Sequence, residues 1–147
     1  MQATTENSIG RITTTLTITN RLDQVLATRG FIPPEQVRCV TLHNVLIDTR
    51  ATTLCLPQDV IAFLGLELLK EVDVATATGI SKARIFQDAK ISLLEREGTF
   101  ECLELPGGRD ALLGVIPLEA LGIELDLQNQ TLKLLPISPN DTYLTIL

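Results

Sequence analysis

The segment Val45-Leu46-Ile47-Asp48-Thr49 sets the strongest constraint on the fold, because three consecutive apolar residues run directly into a carboxylate. A short apolar run bounded by turn signals fits a strand in a core. A charged group at the end of such a strand is unfavourable unless it is paired or used. The chain must therefore build a core around this strand and bring a carboxylate to its margin. Thr49 beside it supplies a hydroxyl suited to a buried hydrogen-bond network. Read alone, the Asp-Thr dipeptide is an ordinary cap or pair at a strand end.

The surrounding pattern is mostly β. Residues 11–19 read R-I-T-T-T-L-T-I-T, with Leu16 and Ile18 alternating against Thr15 and Thr17, and predict a strand. Residues 20–36 begin N-x-L-D and contain Gly30, Pro33 and Pro34; they read as a loop crossing the surface, because proline cannot continue a ladder. Residues 37–48 read as two strands or one bent strand. Residues 56–65 predict a short helix, with Pro57 in its first turn, Gly65 just past its end, and Val60, Ile61, Phe63 and Leu64 on adjacent parts of one face. Residues 66–74 are extended and lead into Ala75-Thr76-Ala77-Thr78-Gly79, a hairpin tip before Ile80. Residues 83–94 and 100–105 are two further strands joined by a charged turn at 95–98, and Pro106-Gly107-Gly108 is a turn. Leu112-Leu113-Gly114 leads into a second short helix over 117–121, again with Pro near its start and Gly after its end. Residues 123–127 and 131–135 flank a hairpin at 128–130, where Asp126 starts the turn. The sequence thus repeats one pattern, in 47–65 and in 112–122: apolar strand, tight turn, short helix, then Leu-Gly.

Composition narrows the classes. The 147 residues fit one domain. The apolar 45% is aliphatic, with four Phe, one Tyr and no Trp, which disfavours a base-stacking platform. A formal charge of -6 repels phosphate backbones, so no nucleic acid is expected as a partner. No apolar run approaches the ~20 residues that span a bilayer, so no membrane is expected either. The start of the chain has no basic and apolar leader pattern. Cys39, Cys55 and Cys102 are odd in number and form no CxxC pair, which predicts reduced thiols and a cytoplasmic setting. Cys55 and Cys102 read as small core residues. With His43 as the lone histidine and no cysteine cluster, no metal site is expected, and His43 has no partners for a triad.

The ordered set of pieces carries more than any one of them. Residues 38–42 (R-C-V-T-L), 48–57 (D-T-x-A-T-T-L-C-L-P), 75–79 (A-T-A-T-G), 112–114 (L-L-G) and 116–122 (I-P-L-E-A-L-G) resemble the retropepsin-type aspartic peptidases, whose signature is apolar-apolar-Asp-Thr-Gly-Ala-Thr. More narrowly, the chain resembles the small retroviral-like aspartyl peptidases encoded in bacterial genomes, and the resemblance runs through residues 11–136. It implies a mostly β, single-domain, retropepsin-like acid-protease barrel with one or two short helices and an active site formed at a two-fold dimer axis. It also implies Asp48 and Thr49 as catalytic residues. Substrate would lie against Arg50, Ala51 and Thr52 and under a flap of Ala75, Thr76, Ala77, Thr78, Gly79 and Ile80. No cofactor is implied. The implied partners are a second copy of the chain and a peptide or unfolded protein segment. Residues 1–10 read as loose, and the apolar tail within 137–147 is expected to help make the dimer interface.

The implied chemistry requires the second copy. Two carboxylates ~3 Å apart cannot both ionise, so one keeps the shared proton while the other acts as base on a water, and the proton belongs to the pair. One Asp-Thr signature per chain means one Asp48 from each copy. The sequence departs from the family at Arg50, where the family has the glycine that lets the peptide backbone approach. An arginine there either favours ionisation of both carboxylates and fills the cleft, or points outward or to another carboxylate and leaves the dyad usable. Two functions follow: an aspartic endopeptidase, or a silent peptide-binding or scaffolding homodimer on the same frame. An unrelated small β-barrel with an interaction role is a third.

Overall fold

The computed structural model describes residues 11–136; the expectations for residues 1–10 and 137–147 lie outside them. Strand β1 (Ile12–Asn20) pairs antiparallel with β2 (Cys39–Ile47). Leu16 and Ile18 are fully buried, as the Thr alternation predicts. Of the two readings for residues 37–48, the single bent strand is the one observed. Two steps along β1, from Thr14 to Leu16, match three along β2, from Val45 to Leu42. This bulge at His43 and Asn44 resets the side-chain phase, so Val45 and Ile47 both point into the core and Asp48 arrives at its edge.

The segment read as a surface loop contains a helix, α1 (Arg21–Thr28), followed by a 3-10 turn (Pro34–Gln36). Asn20 caps α1: its Oδ1 accepts the Asp23 N–H at 3.0 Å, and its Nδ2 donates to the Leu64 carbonyl at 2.8 Å. Asp23, buried one turn in, accepts the Arg38 side chain through Nε at 2.8 Å and Nη2 at 3.0 Å, and the Arg38 backbone N–H at 3.0 Å. This polar knot ties α1 to the entrance of β2 and to the end of the next helix.

That helix, α2 (Gln58–Leu64), begins later than the pattern predicts, since β3 (Leu54–Pro57) consumes the preceding residues and Pro57 is the N-cap. Ile61 and Leu64 are buried, but Phe63 is exposed: at ~3.6 residues per turn it sits about 200° from Ile61. Gly65 ends the helix in the left-handed conformation, with φ of 64°, where a glycine carries no Cβ penalty.

Strands β4 (Glu67–Thr76) and β5 (Gly79–Leu93) form a long hairpin turning at Ala77-Thr78. β5 and β6 (Arg96–Leu105) form a second one. Its turn is Leu94-Glu95, with φ of 52° and 69°, and not the charged stretch 95–98; both residues take the positive φ that a two-residue hairpin demands. Strand β7 (Leu112–Leu113) inserts between β2, to which it is parallel, and β3, to which it is antiparallel. β3 in turn runs parallel to β6. The result is one seven-stranded sheet in the order β1-β2-β7-β3-β6-β5-β4, with β1 also paired to β5 through residues Ala89 to Ser92. Helix α3 (Val115–Ala120) and the hairpin β8 (Ile123–Asp126) and β9 (Thr131–Leu134) follow. The Asp126 carboxylate accepts from the Asn129 backbone N–H at 3.1 Å and its Nδ2 at 2.7 Å, so Asp126 is the turn-former it was read as.

The described residues are thus mostly β, with three α-helices where one or two were expected. The core draws on every strand from β1 to β8 except β4, with Leu54, Leu56, Ile91, Leu93 and Leu113 among its most buried members. No helix among the described residues is long and apolar enough to cross a membrane.

Candidate functional site at the end of the second strand

Two strand ends meet at Asp48. Its backbone N–H donates to the Leu113 carbonyl at 3.1 Å, continuing the β2–β7 ladder, and its carbonyl accepts the Ala51 N–H at 3.0 Å to close a tight turn. The start of α3 is strapped to the same loop: Val115 N–H donates to the Ala51 carbonyl at 3.0 Å and Ile116 N–H to the Thr52 carbonyl at 2.9 Å. Gly114 makes this approach possible, because a Cβ there would lie 2.5 Å from the carbonyl oxygens of both Ala51 and Thr53. The Leu112-Leu113-Gly114 motif therefore acts as a brace under the Asp48 loop.

The Asp48 side chain is 16% exposed and that of Arg50 is 90% exposed. Arg50 turns back on its own loop. Its backbone N–H donates to Asp48 Oδ1 at 2.9 Å, its Nε to the same oxygen at 3.1 Å, and its Nη2 to Oδ2 at 3.5 Å. Partial burial pushes the Asp48 carboxyl up, but the Arg50 side chain, its backbone N–H and its charge together outweigh this and hold the carboxyl below the usual range. The arginine has thus reached a carboxylate, and it is Asp48 itself. Thr49 is exposed in the single chain, and its hydroxyl has no hydrogen-bond partner among the described residues, so the buried network expected there is absent. Thr49 instead borders a cleft of about 210 Å³ with Val115, Leu118, Ile123 and Leu125.

The Asp48 loop and the β4–β5 hairpin face each other across a groove of about 900 Å³. Arg50, Ala51 and Thr52 line one side, and Ala75, Thr76, Ala77 and Thr78 line the other. Asp48, Thr49, Gly79 and Ile80 do not line it. Thr76 Oγ1 fixes the hairpin tip by accepting the Thr78 N–H at 3.3 Å and donating to the Gly79 carbonyl at 2.9 Å. Gly79 has φ of 131°, a conformation side chains resist. The floor and far wall hold residues that the sequence did not flag: Cys55, Lys82, Glu104 and Arg109. The parallel β3–β6 pairing brings Cys55 and Glu104 there, the turn read at 106–108 delivers Arg109, and Lys82 lies on the β5 arm of the hairpin opposite Asp73; of these, only the β3–β6 pairing has no local signal.

Cys55 borders the groove yet is chemically quiet. Burial, aided by the nearby Asp48 charge, pushes its thiol up to about 11, and burial pushes Cys102 up to about 12. Thiolate is the reacting form, so iodoacetamide at neutral pH should label the exposed Cys39 while Cys55 and Cys102 stay unmodified until denaturant is added. Peptide mass mapping reads this directly, and rapid native labelling of Cys55 would show that the groove wall opens. Among the described residues no group of three or more His, Cys, Asp or Glu is placed to hold a metal ion. No protein-family model matches the chain, and no curated protein matches it.

Proposed function

We propose that this chain is one half of a retropepsin-like aspartic endopeptidase, a homodimer that holds extended peptides in the groove and cuts them with a water activated by the paired Asp48 carboxylates. One observation carries the reading: the loop bearing the Asp-Thr signature and a hairpin tip both line a single groove of about 900 Å³. A strand-like peptide there has backbone to pair with on the hairpin, and closure of the tip would exclude water. Thr49 would brace the two loops across the dimer axis.

In this reading Arg50 restrains the chemistry. A dyad needs one protonated and one ionised carboxylate, and a guanidinium bound to each Asp48 favours ionisation of both. The same Arg50–Asp48 contact favours a second reading, a silent peptide-binding homodimer. Cleavage of a mixed peptide library from acid to neutral pH separates the two, comparing the native chain, Arg50→Gly, and Asp48→Asn as blank. The endopeptidase reading expects Arg50→Gly to cut about a hundredfold faster than the native chain, the lower end of what a correctly protonated acid–base group contributes, and the blank not at all. Equal cutting by native chain and variant would remove Arg50 as the restraint. No cutting by any of them, with peptide retained, would leave the silent reading. A chain that sediments as a monomer at its highest soluble concentration would exclude the shared dyad altogether.

A further inference from the structure

We infer that the groove selects extended peptides carrying acidic side chains; the inference rests on reading the groove as a peptide site. The chain as a whole is acidic, with a formal charge of -6, yet the groove is lined by Arg50, Lys82 and Arg109 against a single carboxylate, Glu104. That carboxylate is already spent. Its two oxygens accept Arg84 Nε at 2.8 Å and Nη2 at 2.7 Å in a bidentate pair, the strongest form of carboxylate pairing. Arg109 has no charged or hydrogen-bonded partner among the described residues.

Lys82 contacts Asp73 at 3.0 Å, but the two side chains are 72% and 63% exposed, and a pair this open to water contributes little. An incoming carboxylate displaces Asp73 from Lys82 at small cost. Asp73 and Asp48 do not line the groove, so three of the four charged side chains that line it are cationic. An acidic side chain on a bound peptide meets Arg109 and Lys82 directly. A basic side chain meets like charge in the same groove, and such juxtaposition is how an interface rejects a wrong partner.

The test is fluorescence anisotropy of the full native chain with three labelled extended peptides, identical except for Glu, Gln or Lys at two positions. Mass spectrometry afterwards checks that the peptides remain intact. The Glu peptide should bind about tenfold tighter than the Gln peptide at low salt, a difference of one pair of charge contacts, and the Lys peptide weaker than either. High salt should erase most of the advantage. The combined variant Lys82→Gln, Arg109→Gln, at two exposed positions, should bind the Glu and Gln peptides alike. Equal binding of Glu and Gln peptides by the native chain overturns the inference and leaves the groove as a peptide site. A preference that survives in the double variant overturns its assignment to these two cations. Failure of all three peptides to bind overturns the peptide reading itself, and the inference with it.

Discussion

Replacing Gly114 with alanine should destabilise the fold by about 3 kcal/mol, at the upper end of the usual penalty for overpacking a tight site. The backbone conformation is not the reason, since φ of -95° and ψ of -169° suit any residue. The cost comes from the added Cβ, which would meet the carbonyl oxygens of Ala51 and Thr53 at 2.5 Å and the Thr53 nitrogen at 2.7 Å. All three are backbone atoms, so no side-chain rotation relieves the contact. Relief requires moving the Asp48 loop from the start of α3, which breaks the Val115–Ala51 and Ile116–Thr52 hydrogen bonds. For a chain this size the loss corresponds to a fall of about 10 °C in Tm. Gly107→Ala is the matched control, because nothing lies within 4 Å of its added Cβ. Thermal and urea unfolding of both variants check the prediction, and a Gly114→Ala protein within about 1 kcal/mol of the native one would show that the brace yields.

Asp23→Ala should cost about 2–3 kcal/mol at neutral pH. The carboxylate receives three bonds from Arg38, and its removal leaves the Arg38 backbone N–H without that acceptor. Hydrogen bonds to a buried charge contribute more than neutral ones. Here the Asp23 side chain is 6% exposed while that of Arg38 is 47% exposed, so solvent screening discounts the pair below the penalty for splitting a fully buried one. Acid should erase the difference. The Arg38 side-chain bonds, against the upward push of burial and with help from the Arg38 backbone N–H and charge, hold the Asp23 carboxyl below its usual value. A carboxyl whose folded pKa is depressed stabilises fully above its unfolded pKa and loses that contribution as pH falls through the folded value. Native chain and variant should therefore differ most at pH 7, start to converge as pH falls below about 4, and meet only below the depressed folded value. Urea unfolding at pH 7 and pH 3 reads the effect, and a gap that stays constant would place the stabilisation in packing instead of the charge.

Much of the architecture was legible because it is local. Thr alternation fixed β1, Asp126 and Asn129 fixed the last turn, and the Leu-Gly endings of the two echoing units are the stops of α2 and α3, with Gly65 and Gly122 both at positive φ. Helix α1 was hidden because Gly30, Pro33 and Pro34 dominate its segment. Yet the Asn20-x-x-Asp23 spacing is an N-cap signal. The long-range pairings had no local signature: β7 lies between β2 and β3, and β3 runs parallel to β6, through partners such as Leu54 and Cys102. The same distance hid Lys82, Glu104 and Arg109 as neighbours of the Asp48 loop. Arg50 was visible as a departure from the signature, but its partner was not. Which carboxylate a long flexible side chain reaches depends on the turn geometry that the Ala51 N–H and Asp48 carbonyl impose.

That turn also separates two events by molecularity. The Arg50–Asp48 clamp closes within three consecutive residues of one chain, so it is first order and indifferent to how much protein is present. A catalytic centre built from two copies of Asp48 is second order and vanishes on dilution. In the proposed assembly the restraint therefore precedes the thing it restrains: each chain arrives with its carboxylate already engaged.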